Sequence, residues 1–273
     1  MEDKRLSYGD TVFSLGNFYF SLESNDSELR RSLEQLFLLA QRPVADKVIY
    51  CLNLDQPRSI SPNWQRHQLD DGSFDFVRLI QMRAMEHHAS FLWLDAAVLI
   101  KDNPQSKCIL ISGQSHSGKS TAALAMSSGS GWKILTEDVL LIDTKDDKLI
   151  AFPAPQSVRS GTSQRIKDAL GIDVPSPKLK NWVPSQDRCV VTDVPARFDV
   201  VFHLSVIDPE NPGSFECQSL SPFTYVRKIL LNSNLIAMDA IDKFADYVMQ
   251  ASCFQIAGGS LSERLNAMIQ LMR

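Results

Sequence analysis

Residues 108–121 read CILISGQSHSGKST, an apolar run that passes into a loop flanked by glycines and then into a stretch of small and helix-forming residues. From Gly113 to Ser120 the pattern is G-x-x-x-x-G-K-[ST], placed directly after a strand-like run and directly before a helical one, which is the context a phosphate-binding loop needs. Glycines let the backbone curl so that successive N–H groups point inward. Those amides, with the positive end of the helix that begins at Lys119, can cradle a polyphosphate. Gln114, Ser115, His116 and Ser117 fill the loop up to Gly118, Lys119 is suited to neutralising β- and γ-phosphate oxygens, the Ser120 hydroxyl to ligating Mg²⁺, and Thr121 completes the nucleotide-binding segment. Four fixed positions recur by chance in about one chain of this length in a hundred. The flanking strand and helix lower that further, so nucleotide binding is favoured over a Gly/Ser-rich turn that merely caps a helix. His116 reads as a solvent-facing spacer whose backbone matters more than its ring.

Upstream, Ala96–Ile100 and Cys108–Ser112 are apolar runs separated by the turn-forming Lys101-Asp102-Asn103-Pro104, which predicts a hairpin or two adjacent buried strands. Downstream, the spacing predicts a helix over 119–127 and a strand over 133–143 broken by Glu137-Asp138. Strand, loop, helix, strand is a βαβ unit, so part of the sheet should be parallel, with a right-handed crossover. An acidic pair inside an apolar strand is costly unless it is paired or bound to a cation. Next to a phosphate loop, one carboxylate can hold Mg²⁺ while the other accepts the proton of an attacking hydroxyl; the plainer alternative is an exposed pair at a strand end or bulge. Thr144-Lys145-Asp146-Asp147 fits the TKxD guanine-reading pattern, but it follows Lys119 by only 25 residues and reads instead as a charged hairpin turn.

These residues resemble the C-terminal domain of HPr kinase/phosphorylase and the wider set of HPr-kinase-related P-loop proteins, a fold similar to the nucleotide domain of PEP carboxykinases. The resemblance lies in the loop Gly113–Thr121, the following short helix and Gly-containing turn, and Leu135-Thr136-Glu137-Asp138 through Ile142. It continues in Phe152-Pro153-Ala154-Pro155 to Arg159, in the strand-like 199–207, and in Phe254 to Gly259, covering about residues 94–273. It implies an α/β P-loop kinase domain with a mixed sheet and flanking helices, which uses ATP and Mg²⁺ to phosphorylate a hydroxyl of a protein, peptide or small molecule. By position it puts Glu137 in the general-base role and Asp138, with Ser120, beside the metal, alongside Lys119. The family has Asp where this chain has Glu137, one methylene longer, which matters because misplacement by about 1 Å can cost a hundredfold in rate. The family's histidine just before the loop strand falls on Asp95 by spacing, with His88 as the alternative; His87 and His88 otherwise read as helix-surface residues. Residues 1–80 do not resemble the N-terminal domain of HPr kinase, so HPr is not the expected acceptor.

That N-terminal part reads as a small α/β unit. It has strands over 18–23 and 48–54, a helix after Ser24–Ser27 carrying Leu29, Leu33, Leu36, Leu38 and Leu39, a loop over 56–72, a strand over 73–79, and a linking helix over 78–94. Two domains are expected, 1–84 and 85–273. Past the Pro/Ser-rich loop 174–186, strands are expected over 188–193 and 199–207, and the C-terminal part reads as mainly helical (223–232, 238–251, 261–272). Arg159, Arg165, Lys178, Lys180 and Arg188 cluster around that loop, where a mobile basic segment could close over phosphates or hold an anionic acceptor, or be merely solvated.

The whole chain of 273 residues carries 28 Lys+Arg against 32 Asp+Glu, so it offers no general attraction for nucleic acid or an anionic membrane surface. Five scattered cysteines with no CxxC pair argue against a disulfide framework or a zinc site. The polar N-terminus does not read as a signal peptide, and the longest apolar stretch, 89–100, is too short to span a bilayer. A cytoplasmic protein is therefore expected, with self-association left open. Besides kinase activity, two functions fit the loop: a nucleotide-binding sensor or accessory protein without transfer, and a simple ATPase or PEP-carboxykinase-like reaction.

Overall fold

The structure, a computed structural model, describes residues 11–37, 49–60, 75–101, 107–129, 131–159, 161–175, 182–184, 188–190, 192–208 and 211–272. The chain begins with β1 (Phe13–Leu15) and β2 (Phe18–Glu23), paired antiparallel about Gly16, whose φ of 61° suits a residue without a side chain. Helix α1 (Ser27–Glu34) starts where the Asp26 carboxylate accepts from the amides of Glu28 and Leu29, and it crosses to β3 (Ile49–Asn53), which lies parallel to β2. The expected positions Leu38 and Leu39 lie outside the described residues.

After α2 (Pro57–Ile60) comes α3 (Phe76–His87). The strand expected over 73–79 is not found: Asp75 accepts from the Arg78 amide and caps a helix that starts at Phe76, while residues 73 and 74 lie outside the described residues. The linking helix also ends earlier than its periodicity suggests, at His87, because β4 (Leu92–Lys101) begins five residues on.

Strand β4 pairs antiparallel with β5 (Lys107–Gly113), so the expected hairpin pairing is present, its turn residues 102–106 falling outside the described ones. From β5 the chain enters α4 (Lys119–Gly129) and returns as β6 (Lys133–Thr136) and β7 (Val139–Asp143). Both pair antiparallel with the far edge of β4, with a register shift between Val98 and Leu99. Strands β5 and β6 thus run parallel with β4 inserted between them, rather than as neighbours. The charged turn after β7 leads to β8 (Lys148–Ile150), as a hairpin.

Beyond β9 (Gln156–Ser157), α5 (Thr162–Leu170), β10 (Trp182–Val183) and β11 (Val194–Pro195) comes β12 (Val200–Leu204), parallel to β5. No strand forms over 188–190; Cys189 makes only an isolated parallel bridge to Ile134. The three helices expected in the C-terminal part are present, as α6 (Pro222–Ile229) with a 3₁₀ turn (Leu230–Asn232), α7 (Ile241–Val248) and α8 (Leu261–Leu271), but two strands accompany them: β13 (Glu216–Leu220) before α6 and β14 (Ser252–Ala257) between α7 and α8. Strand β14 extends the sheet parallel to β12, and β13 closes its edge antiparallel.

The result is mixed α/β: a nine-stranded mixed sheet among the described residues, order β11-β8-β7-β4-β5-β12-β14-β13 with β6 beside β4, covered by helices on both faces. Such double coverage is why β4 and β5 read as continuous apolar runs rather than alternating ones. Val98, Leu110 and Val201 pack under Tyr225 and Phe244 of α6 and α7. Leu99, Ile111 and Phe202 pack under α4, Ile166 of α5 and Leu265 of α8. A third core joins the N-terminal strands and α3 to Leu141, Ile150 and Trp182, so the expected boundary at residue 84 falls inside a helix that packs on both parts. No described helix is long and apolar enough to cross a membrane.

Candidate active site

Strand β5 ends against β12, and at Gly113 a Cβ would sit 2.3 Å from the Leu204 carbonyl oxygen and 2.6 Å from the Ser117 hydroxyl, in a backbone with φ 144°. The loop leaves the sheet there because only glycine fits. Gly113→Ala is therefore expected to destabilise the fold by about 2–4 kcal/mol through strain and overpacking, read as a lowered midpoint in thermal denaturation; an unchanged midpoint would mean the loop has another way out of the strand. The turn is closed by the Ser117 amide donating to the Gln114 carbonyl at 3.1 Å. His116 adopts φ 72°, with its residue surface exposed, so its backbone shapes the loop as a spacer would. Gly118, at φ 97°, has open space where a side chain would go and is needed for conformation rather than room.

Helix α4 opens at Lys119, whose ammonium is nearly buried. Its Nζ donates to the Gly113 carbonyl at 2.9 Å and the Gln114 carbonyl at 3.3 Å, and it pairs with Asp95 Oδ1 at 3.0 Å. Three donors meet three acceptors, so an incoming phosphate must displace protein groups. Asp95, on β4, is the residue that spacing placed at the resemblance's histidine position, and it faces the lysine directly. Burial raises its pKa, against the pull of Lys119, and nearby Asp138 raises it further.

The acidic pair lies in the bend between β6 and β7, both of which hang on β4. The Thr136 hydroxyl donates to the Val139 carbonyl across the bend at 2.5 Å, and the Asp138 carbonyl accepts from Ala96 N at 3.2 Å. The bend sends the two carboxylates to different places. Asp138 lines the cleft above the loop and is bound by Arg78 of α3. Glu137 is only 3% exposed, and its Oε1 is buried without a partner. Burial pushes its pKa up to about 8, with Asp138 raising it as well, against the Ser120 hydroxyl, Arg78 and Lys119. Unfolded, the group loses its proton near 4.5, while folded it keeps it to about 8. Between those values the folded state holds the extra proton, so stability falls as pH rises, by up to about 1.4 kcal/mol per unit. The melting midpoint of the nucleotide-free protein should drop from pH 5 to 8, and Glu137→Gln should flatten that slope; parallel profiles for the two proteins would contradict a buried neutral Glu137.

Sequence reasoning missed Arg78 and Gln156. Arg78 sits on the N-terminal unit's helix, where a lone charge looks like a solvated one, yet its guanidinium also reaches Gln81 Oε1 at 3.2 Å and lies 5.3 Å from the Trp182 ring. Burial works against the charged guanidinium of Arg78, but Asp138, with Glu137 and Asp75, raises its pKa on balance. Gln156 donates to the Ser120 carbonyl at 2.8 Å and accepts from Arg188 at 3.1 Å. Arg188, expected on a mobile basic loop, is instead 8% exposed and also donates to the Pro184 carbonyl. Lys178 and Lys180 lie outside the described residues. Arg159 and Arg165 do line the cleft.

His88 is not a surface residue. It is 2% exposed, its Nδ1 lies 2.7 Å from the Ala84 carbonyl oxygen, and its Nε2 accepts from the Asn17 amide, an arrangement that fixes a neutral ring proton on Nδ1 and ties the β1–β2 turn to the end of α3. His87 is exposed, as expected of a helix-surface residue, with its ring beside those of Phe18 and Tyr50.

Loop, lysine and carboxylates surround a cleft of about 490 Å³, within the range of ligand sites. Mg²⁺ suits its chemistry: a hard cation takes hydroxyl and carboxylate oxygens, and Ser120 with the unpartnered Glu137 Oε1, plus Asp138 nearby, supplies them. No protein-family model and no curated protein matches the chain. Among solved structures, it is similar to the Hpr(Ser) kinase/phosphatase from Coxiella burnetii at 17% identity, with 66% of this chain and 95% of that chain covered and a TM-score of 0.30.

Proposed function

We propose that the chain is an ATP- and Mg²⁺-dependent phosphotransferase that moves the γ-phosphoryl group to a hydroxyl of a protein, peptide or small molecule. The observation that carries this reading is the convergence on one cleft of Lys119, held inside the Gly113–Gly118 loop, with Asp95 and Asp138. In the reaction the acceptor O–H proton passes to a carboxylate, the acceptor oxygen forms a bond to the γ-phosphorus, and the bond to the β-bridging oxygen breaks to release ADP. Loop amides and Lys119 orient the triphosphate. Mg²⁺, when bound, neutralises phosphate charge, and Ser120 with the carboxylate of Glu137 would hold it.

The resemblance assigns the base role to Glu137 and the metal to Asp138; the geometry favours the exchange. A base must reach the acceptor, and Asp138 faces the cleft while Glu137 lies behind Ser120. Arg78 then positions Asp138 through their ion pair. Arg78→Ala is expected to lower kcat by about 10- to 100-fold with a smaller change in KM for nucleotide. Arg78→Lys should restore part of it, and a wild-type kcat in both variants would leave the pair without a catalytic role.

Incubating the protein with γ-labelled ATP and cell extract tests the function. A labelled product that disappears with Asp138→Asn supports transfer. Tight nucleotide binding without product supports the sensor reading, and phosphate release without an acceptor supports an ATPase.

A further inference from the structure

Among the described residues five cationic side chains line the cleft, and only two of them have carboxylate partners there: Lys119 with Asp95, and Arg78 with Asp138. The other three come from elements that the nucleotide motif does not involve. Arg159 precedes α5, Arg165 is in its first turn, and Arg264 is in the first turn of α8. Arg264 is the most telling, because it is 5% exposed and its Nη2 donates to the Ser205 carbonyl at 3.1 Å. Burial lowers its pKa, and no carboxylate pairs with it among the described residues. A buried guanidinium without a counter-charge is costly unless an anion is brought to it. Arg159 and Arg165 are exposed to the same cleft, and neither is in an ion pair among the described residues.

The placement separates these groups from the phosphate loop. Helices α4, α5 and α8 pack on one face of the sheet and begin at the cleft, so their positive ends converge there. α5 starts at Gly161 without a side-chain cap, whereas α8 is closed by the Ser260–Glu263 capping box. A magnesium-bound nucleoside triphosphate brings about two negative charges to a cleft with three unmatched positive ones, and the loop, Lys119 and Ser120 already serve its phosphates.

We propose that Arg159, Arg165 and Arg264 form an oxyanion subsite beside the nucleotide, which takes a carboxylate or phosphate carried by the phosphoryl acceptor. This rests on the phosphotransferase reading and narrows it: the acceptor is an anionic hydroxyl compound or a hydroxyl next to an acidic group on a peptide, not a neutral one. Bidentate guanidinium contacts recognise both oxyanions.

The test is calorimetry with inorganic phosphate as the probe, on the full chain saturated with Mg²⁺ and a non-hydrolysable ATP analogue so that the loop is filled. Phosphate should bind that complex, and Arg159→Gln with Arg165→Gln should weaken it at least tenfold while analogue affinity stays within twofold. Arg264→Lys is a milder companion at the buried position and should give a smaller loss in the same direction. Competition between analogue and phosphate, or unchanged phosphate binding in the variants, would overturn the subsite, the latter leaving an adventitious ion only. Failure to bind the analogue, with phosphate still bound and still lost in the variants, would overturn the phosphotransferase reading and uphold the anion site. Loss of both ligands in the wild-type protein would overturn both. Acid-bearing and neutral hydroxyl compounds offered as acceptors then separate carboxylate from phosphate.

Discussion

Lys119→Ala is expected to weaken Mg²⁺–ATP binding by at least a hundredfold while the protein stays folded. Lys119 is the cation held inside the loop by the Gly113 and Gln114 carbonyls, and no other described side chain is tied to both. A charge-assisted hydrogen bond contributes about 1.5–3 kcal/mol, and two to the β- and γ-phosphates account for a hundredfold, about 2.7 kcal/mol. A second effect acts in the same direction: without the ammonium, Asp95 faces the phosphates as an uncompensated like charge. The fold should tolerate the change. Asp95 keeps about a third of its side chain exposed, so water can solvate its carboxylate once the ammonium is gone. Calorimetric titration with the nucleotide and a thermal melt read the two effects separately. An affinity within a few-fold of wild type would sink the phosphate-loop reading, whereas a collapsed melt would mean that the lysine's three internal contacts hold the loop together.

The centre of the site was legible in the sequence because it is local. Gly113, Gly118 and Lys119 follow one another along the chain, and the interruption of an apolar strand by Glu137-Asp138 marks the bend that carries the acids. Residues 75–79, the described part of the strand expected over 73–79, go into a cap and helix because short alternating apolar runs suit either element, and the deciding contact is the Asp75 cap on the Arg78 amide. Strand β13 has no apolar face to give it away: four of its five residues are exposed, and it owes its conformation to the backbone of β14. The functional side chains that were missed are tertiary. Nothing near Arg78 in sequence announces Asp138, 60 residues on, or Trp182, and nothing near Arg188 announces that Gln156 and Pro184 will bury it. Charge alone cannot tell a buried, partnered arginine from a solvated one, since the difference lies in what the fold brings to it.

Asp138→Asn should lower kcat by about 10²–10⁴-fold with little change in nucleotide affinity, the usual range for losing a general base. Glu137→Gln should instead raise the Mg²⁺ concentration needed for half-maximal binding, with a smaller loss of kcat at saturating metal. The two carboxylates are adjacent in sequence, yet the bend between β6 and β7 puts one in the cleft and the other behind the loop. Asp138 is held by the Arg78 guanidinium on the wall shared with Trp93 and Asp95, where an acceptor can approach. Glu137 is shut off from that space, and its nearest helpful group is the Ser120 hydroxyl, itself the loop residue suited to a divalent cation. A neutral carboxyl at pH 7 with one orphaned oxygen is poorly placed to take an acceptor's proton and well placed to meet a cation brought by the nucleotide, which would favour its ionised form. Steady-state kinetics across a Mg²⁺ titration separates the roles, because a base variant lowers the plateau and a metal variant moves the midpoint. The opposite pattern, with the plateau lost in Glu137→Gln and the midpoint moved in Asp138→Asn, would restore the order that the family resemblance implies and would require Glu137 to swing out past Ser120 before each transfer.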